Sequence, residues 1–313
     1  MSASLDSKND FLIIAYSSVF IASTYFLLLK ISPILFSFFC FLPLISIALI
    51  TNLKQTLLSF LVSIFLIVVV LYFQNRIENI NNTFFLTNII FVFGFSFLFL
   101  LILGMGKRKD DFGEKLSFYV LTTSIIFISL FIFYLSDSMN DLIIEIKQEY
   151  ANLVSPDNQI MTKELNKLFE GIIKIFPSIN FIFHFFTILT NLFLAKEFLN
   201  KFKIPIKKEI NQSTFIIPNW YLVIYLVFFG TSLIFNDDLQ YFFLNLVISL
   251  SCIFFTNGFY IFKKFFLQIS QPLFLKIIIL FLLFIFLGYV LFLSLFFLGF
   301  VNKLKHFFKK RLN

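Results

Sequence analysis

Long apolar stretches alternate with short polar loops along the whole chain. A bilayer core about 30 Å thick requires roughly 20 apolar residues in a helix. Nine stretches without Asp, Glu, Lys or Arg meet or approach that length: residues 11–29, 32–50, 57–73, 84–104, 116–135, 179–195, 220–235, 241–262 and 277–301. This pattern predicts an all-α protein, a polytopic transmembrane helix bundle with about eight to nine membrane segments.

The largest polar region between these stretches covers residues 136–178, with seven acidic and four basic residues. Its apolar residues recur at helical spacing, for example at Leu142 and Ile146, which predicts two amphipathic helices. The sequence "SPD" separates them, because Ser155 is a suitable N-cap and Pro156 suits a first helical turn. We interpret the region either as an extramembrane cap or as a lid or docking element.

The hydrophobic pattern divides the chain into four parts. These are five N-terminal transmembrane helices (1–135), the extramembrane amphipathic loop (136–178), about four C-terminal transmembrane helices (179–301) and a basic tail (302–313). The segment 32–50 contains Pro33 and Pro43, so we expect it to be short, kinked or partly re-entrant. The first segment follows "MSASLDSKND", which has neither a basic n-region nor a cleavage site, so we expect a retained helix.

The composition supports a membrane location, because only 13% of the residues are charged, about half the share in a soluble domain. The net charge is +8, and most of the basic residues lie in short loops between the apolar stretches. The N-terminus and the loops after the even-numbered segments hold 14 Lys and Arg, and the alternate loops hold six. The positive-inside rule therefore predicts a bacterial inner-membrane protein with a cytoplasmic N-terminus. We expect no nucleic-acid partner.

The basic tail complicates this orientation. It adds five Lys and Arg, which nine complete crossings would place on the opposite side. We therefore expect one of the last three segments not to cross fully. The tail is also a candidate contact for anionic lipid.

Two apolar segments carry polar stripes with the same spacing. The stripes are Asn180, His184, Thr187 and Asn191 in the sixth segment, and Asn245, Ser249, Cys252 and Thr256 in the eighth. At about 100° per residue, each set lies on one narrow helix face. Because unsatisfied polar groups are costly in hydrocarbon, both stripes should face inward. They either bridge helices or line a cavity for a small solute, with His184 and Asn191 as directional contacts.

The chain lacks the motifs of familiar membrane enzymes, since it has no H-E-x-x-H, G-x-S-x-G, P-loop or paired intramembrane aspartates. Asp237 and Asp238 are adjacent, as in a solvated turn. Cys40 and Cys252 have neither metal-ligand nor disulfide spacing. We expect no enzymatic activity, no cofactor and no metal. Missing intramembrane charge also argues against an ion-coupled transporter.

Three local patterns resemble a known family. They are "FLPLISIALITNLKQ" (41–55), "PNW" (218–220) and "FFTNGFYIFKK" (254–264). Together with the length and the basic end after Gly299, they resemble the YybS-like family of uncharacterised predicted bacterial membrane proteins. Asn302 departs from the pattern, where an aspartate is expected.

The positions that match the family pattern have structural interpretations. Pro43 is read as a helix kink, Pro218 as a helix start, Trp220 as an interface anchor and Gly258 as a site of close helix approach. The resemblance implies a distant similarity in fold to the substrate-binding subunits of energy-coupling-factor transporters and to MreD. The first six segments would then form a six-helix core, followed by additional C-terminal helices.

By this analogy, the first functional hypothesis is a substrate-binding or transport-associated subunit for a small molecule. The alternative is a non-transporting envelope-assembly scaffold that resembles MreD, which would bind membrane protein partners through residues 136–178. A membrane enzyme is the third hypothesis. The first hypothesis requires an internal polar cavity, whereas a scaffold requires only an exposed docking surface.

Overall fold

The computed structural model describes residues 2–78, 94–102, 112–153, 159–206, 215–268 and 273–312, and every regular element within them is an α-helix. The helices are α1 (Ser2–Ile31), α2 (Pro33–Phe39), α3 (Leu42–Ile50), α4 (Leu53–Glu78), α5 (Phe112–Leu153), α6 (Gln159–Lys201), α7 (Asn219–Ile234), α8 (Asp237–Gln268) and α9 (Leu273–Leu312). Residues 94–102 are also helical. The predicted all-α class is confirmed.

Within the described part of the chain, six helices contain a stretch that is long and apolar enough to cross a membrane. These stretches are Asn9–Leu28, Leu53–Phe73, Phe112–Ile132, Gly171–Lys201, Asp238–Phe266 and Val290–Lys309. Large apolar side chains such as Phe11, Phe65 and Phe265 are exposed along them, and a bilayer covers such surfaces. The predicted polytopic helical bundle is confirmed.

One of the other predicted segments consists of short helices in the structure. Segment 32–50 forms two helices, α2 and α3, of 7 and 9 residues, and neither can cross a 30 Å core at about 1.5 Å per residue. Pro33 and Pro43 each lie in a first helical turn, where the missing N–H is not needed. Pro43 therefore helps to begin a helix, whereas we expected a kink. Segment 84–104 lies largely outside the described residues.

Helix α7 has 16 residues and is therefore about 24 Å long. It is the shortest of the last three helices, so its length makes it the best candidate for an incomplete crossing. The helix that follows it, α8, has 32 residues.

Helices α5 and α6 are longer than a bilayer requires, with 42 and 43 residues. The two predicted amphipathic helices are continuous with the adjacent membrane segments, because residues 136–153 extend α5 and residues 159–178 begin α6. The "SPD" sequence with Ser155 and Pro156 lies outside the described residues. The four-part division of the chain stays a prediction.

The helices pack into two compact units. The first contains Met1–Phe112 and His184–Gln212, and the second contains Gly113–Phe183 and Ser213–Asn313. This division differs from a core formed by the first six segments, because α5 and the first part of α6 belong to the second unit.

In the first unit, α1 packs along α4 and also contacts α2 and α3. Ser18 on α1 and Ser59 on α4 are fully buried. The Ser18 hydroxyl donates to the carbonyl oxygens of Ile14 at 2.7 Å and Ser59 at 3.1 Å. Small residues with such bonds allow membrane helices to approach each other closely.

In the second unit, α8 packs against both α7 and α9. At the α8–α9 crossing, a Cβ atom on Gly258 would lie 1.8 Å from the Leu295 carbonyl oxygen. A Cβ atom on Gly299 would lie 1.9 Å from the Phe254 carbonyl oxygen. The two backbones therefore touch at a point where any larger residue would force them apart.

Candidate functional site

Asn245, from the second predicted stripe, joins α8 to α6 beside a proline. Pro177 lies inside α6, where it lacks an N–H and crowds the preceding turn. Asn245 Nδ2 donates to the Lys174 carbonyl oxygen at 2.8 Å, and Asn245 Oδ1 accepts from the Ser178 N–H at 3.1 Å. In a regular α-helix these two backbone groups pair with each other. One side-chain amide thus satisfies both groups next to the proline.

The other members of this stripe are buried on α8. Thr256 donates to the Cys252 carbonyl oxygen of its own helix at 2.7 Å, and Cys252 is a free thiol. The Ser249 hydroxyl is buried without a hydrogen-bond partner among the described residues. The contacts of Asn245 are those of an interhelical bridge.

In the first predicted stripe, Asn191 is fully buried. Its Nδ2 donates to the carbonyl oxygens of Phe38 at 2.6 Å and Thr187 at 2.7 Å, so it links α6 to α2. Its Oδ1 has no hydrogen-bond partner within the part of the chain that the structure describes.

Of the other three residues of this stripe, Thr187 is buried, and Asn180 and His184 are half-buried. The ring centroid of His184 is 6.5 Å from that of Phe95. Asn180 and the α8 stripe belong to the second unit, whereas His184, Thr187 and Asn191 belong to the first. A single cavity lined by both stripes stays a prediction.

A cavity of about 680 Å³ lies elsewhere in the second unit. Residues 215–218 form its apolar side. Its polar side consists of Asn219, Asn257, Asn302, Lys303, His306 and Lys309. None of the eight stripe residues lines it. The cavity is built by the start of α7, the second half of α8 and the end of α9.

Residues 215–218 form the apolar wall of the cavity; they precede α7 and are not helical. Pro218 has extended backbone angles, with φ −66° and ψ 153°, and it also disfavours a helical conformation at Ile217. Phe215 stacks on Tyr260, with ring centroids 5.3 Å apart and planes inclined by 2°. Phe215 and Ile217 are both buried. The wall is therefore fixed by a proline and by an aromatic stack.

Lys303 closes the inner end of the cavity and is only 6% exposed. Its Nζ donates to the Ile217 carbonyl oxygen and, at 2.6 Å, to Asn219 Oδ1. Burial of an ammonium group requires such hydrogen bonds. Because Ile217 lies before α7, its carbonyl has no partner within that helix, and Lys303 supplies one from α9.

Asn257 also lies on the polar side of the cavity and is 5% exposed. Its Nδ2 donates to the Gly299 carbonyl oxygen at 3.2 Å, which the close α8–α9 crossing allows. His306 and Lys309 are exposed and follow Lys303 on α9 at steps of about 4.5 Å along the axis. The cavity therefore has a buried polar end and an exposed basic end.

Sequence reasoning missed this cavity, although part of its signal was visible. Lys303, His306 and Lys309 recur every three residues in the tail, which we interpreted as a lipid contact. Asn219, the partner of Lys303, is 84 positions away in the chain, and no local pattern connects the two.

The lining residues offer hydrogen-bonding and positively charged groups. The described residues include no group of three or more His, Cys, Asp or Glu side chains that could hold a metal. Among the described residues, the polar lining consists of Asn, Lys and His side chains, so it offers amide and cationic groups. Such groups can orient a ligand by hydrogen bonds and by charge.

A family model described as "Predicted membrane protein (DUF2232)" matches residues 17–302. No curated protein and no solved structure matches the chain. The expected resemblance to a family of predicted membrane proteins is confirmed. The expected likeness in fold to energy-coupling-factor subunits and to MreD stays a prediction.

Proposed function

Since this chain belongs to the DUF2232 family of predicted membrane proteins, we propose that it is a substrate-binding or transport-associated membrane subunit. Its small-molecule ligand enters the cavity beside Lys303, and the protein itself performs no chemistry. The distribution of loop charge supports a bacterial inner membrane and a cytoplasmic N-terminus for this subunit.

The cavity is the observation that supports this proposal. Its volume of about 680 Å³ lies within the range of about 300–1,000 Å³ that small-molecule sites occupy. An apolar wall and a few fixed polar groups are also typical of such sites. Lys303 and Asn257 are held by hydrogen bonds to backbone carbonyls, so these groups need little reorganisation when a ligand binds.

Native mass spectrometry of the full chain from native membranes tests the proposal. Ile216 lines the cavity and is exposed, so Ile216→Trp should fill the space without disturbing the core. Ile234→Trp is the matched control, because Ile234 is exposed at the other end of α7. We expect a small molecule to co-purify with the wild type and the control and to be lost from Ile216→Trp. Equal ligand occupancy in both variants would contradict the proposal.

The lengths of α5 and α6 favour the scaffold hypothesis as a second candidate. With 42 and 43 residues, each helix is about 60 Å long, roughly twice the thickness of the bilayer core. The surplus includes the predicted docking region. Deletion of residues 139–176 should abolish co-purification of envelope-synthesis proteins if the scaffold hypothesis is correct, and should leave it unchanged otherwise.

A further inference from the structure

We propose that the cavity beside Lys303 selects an organic anion, with a phosphate or carboxylate group joined to an apolar body. This inference rests on the proposed binding function and specifies the chemical class of its ligand. It is supported by the charge of the lining, by the position of the cations and by the apolar wall opposite them.

The charged residues of the lining all have the same sign. Lys303 and Lys309 line the cavity, and no Asp or Glu is found among its described lining residues. His306 lies between the two lysines on the same helix, α9. A concave site with one sign of charge and low-dielectric walls concentrates ligands of the opposite sign.

Lys303 and Lys309 differ in burial and therefore in the part that each plays in binding. Lys303 is buried and bonded to the Ile217 carbonyl and to Asn219, so it is a positioning residue that adds positive potential at the inner end. Lys309 and His306 are exposed at the mouth, where they can contact an incoming anion directly. Charge-assisted hydrogen bonds of this kind are about twice as strong as neutral ones.

The start of α7 adds further donors at the inner end. Asn219 is its first residue, and Pro218 provides no side-chain hydrogen bond to the first turn. The N–H groups and the positive end of the helix dipole therefore favour a negative group there. The apolar residues 215–218 form the neighbouring wall, which suits the apolar body of the ligand.

The test uses the full chain in nanodiscs of phosphatidylcholine, with phenyl phosphate as the probe and phenyl glucoside as its uncharged counterpart. We expect phenyl phosphate to bind and phenyl glucoside to bind at least tenfold more weakly. Lys309→Gln should weaken phenyl phosphate binding about tenfold, as loss of one charge-assisted hydrogen bond implies. Lys305→Gln is the matched control, because Lys305 is exposed on α9 outside the cavity lining and should leave the affinity unchanged.

A second arm identifies the source of the anion. In nanodiscs that also contain phosphatidylglycerol, competition with phenyl phosphate would assign the site to a lipid headgroup, and the absence of competition would assign it to a soluble anion. Both results support an anionic ligand.

Three results would overturn the anion inference, and they differ in whether the proposed binding function still stands. If both probes bind equally, or if Lys309→Gln and Lys305→Gln have equal affinities, the anion inference is wrong. The proposed binding function then stands, provided that Ile216→Trp still abolishes binding. If neither phenyl phosphate nor phosphatidylglycerol binds, the anion inference is wrong. If Ile216→Trp does not reduce the amount of any co-purified small molecule, the proposed binding function is wrong as well.

Discussion

Two prolines of the second unit, Pro177 and Pro218, each have a polar side chain from another helix beside them. Asn245 pairs with the Lys174 carbonyl and the Ser178 N–H around Pro177. Lys303 donates to the Ile217 carbonyl just before Pro218. Pro177 lies inside α6 and Pro218 lies just before α7. In both places a side chain supplies hydrogen bonds to the backbone nearby.

The two sites differ in what the polar side chain contributes besides its hydrogen bonds to the backbone. An amide carries both a donor and an acceptor, so Asn245 can satisfy a complete N–H and C=O pair and leave no net charge. An ammonium group has donors only, so Lys303 satisfies carbonyl-type oxygens and adds a positive charge. The hydrogen bonds of Asn245 around Pro177 therefore form an uncharged connection between α6 and α8, the proline joint. The site at Lys303 instead keeps a positive electrostatic potential that can attract an anionic ligand.

Asn245→Leu should produce the largest change in stability. Leucine fills a similar volume but leaves the Lys174 carbonyl and the Ser178 N–H without their side-chain partner. Each unsatisfied buried group costs about 1–3 kcal/mol, so we expect a loss of about 2–4 kcal/mol in the free energy of unfolding. Denaturation of the detergent-solubilised protein by sodium dodecyl sulfate measures it.

A double-mutant cycle with Pro177→Ala tests the cause of this loss. Alanine restores an N–H and removes the ring, so α6 can pair Ser178 with Lys174 directly. The cost of Asn245→Leu should then fall to half or less. An equal cost in both backgrounds would mean that the proline does not create the need for the amide.

Gly258→Ala should be the next largest change, because the added Cβ would lie 1.8 Å from the Leu295 carbonyl oxygen. We expect a loss of about 1–3 kcal/mol in the free energy of unfolding. Gly230→Ala on α7 is the matched control, since a Cβ there meets nothing within 4 Å, and alanine is the better helix former.

Amide hydrogen exchange shows which regions of the protein Gly258→Ala destabilises. The α8–α9 crossing positions the cavity, so amide protection at the start of α7 should fall while protection around Ser178 is retained. Equal loss at both places would show that the cavity and the proline joint depend on the same helix contact.

Much of the fold could be predicted from the sequence because hydrophobic length and period report directly on helices in a bilayer. The stripe spacing also indicated that Asn191 and Asn245 face inward, and both are fully buried. Periodicity identifies the face of a helix but not its partner. The bond from Asn245 to Lys174 joins residues 71 positions apart, and Pro177 lies outside the predicted sixth segment.

The cavity was harder to predict for a different reason. Lys303 belongs to a run of basic residues, and a basic run next to an apolar segment usually lies in solvent or at lipid headgroups. Its burial depends on the non-helical wall at residues 215–218 and on the Gly258–Gly299 crossing. These features arise from packing between distant parts of the chain, and composition does not encode them locally.

Lys303→Met should have a smaller effect on stability than the first two changes, because the methionine keeps most of the apolar stem. The Ile217 carbonyl and Asn219 lose their donor, so we expect about 1–2 kcal/mol of destabilisation. Phenyl phosphate binding should weaken as well. Lys305→Met should change neither quantity, and Lys309→Gln should change only binding. If Lys303→Met lowers stability but leaves binding unchanged, Lys303 acts as a structural repair only, like Asn245.

Tyr221→Phe should have the smallest effect and shows why the proline sites are different. The Tyr221 hydroxyl donates to the Leu250 carbonyl oxygen at 2.8 Å, but Leu250 lies inside α8, where its carbonyl also has a regular helical partner. Removal of the hydroxyl leaves that carbonyl satisfied, so we expect a loss of only about 0.5–1 kcal/mol, measured by the same denaturation. Tyr16→Phe, at an exposed position of α1, should cost nothing measurable. A loss as large as that from Asn245→Leu would mean that every buried hydrogen-bond donor in this bundle contributes equally to stability, whether or not it lies beside a proline.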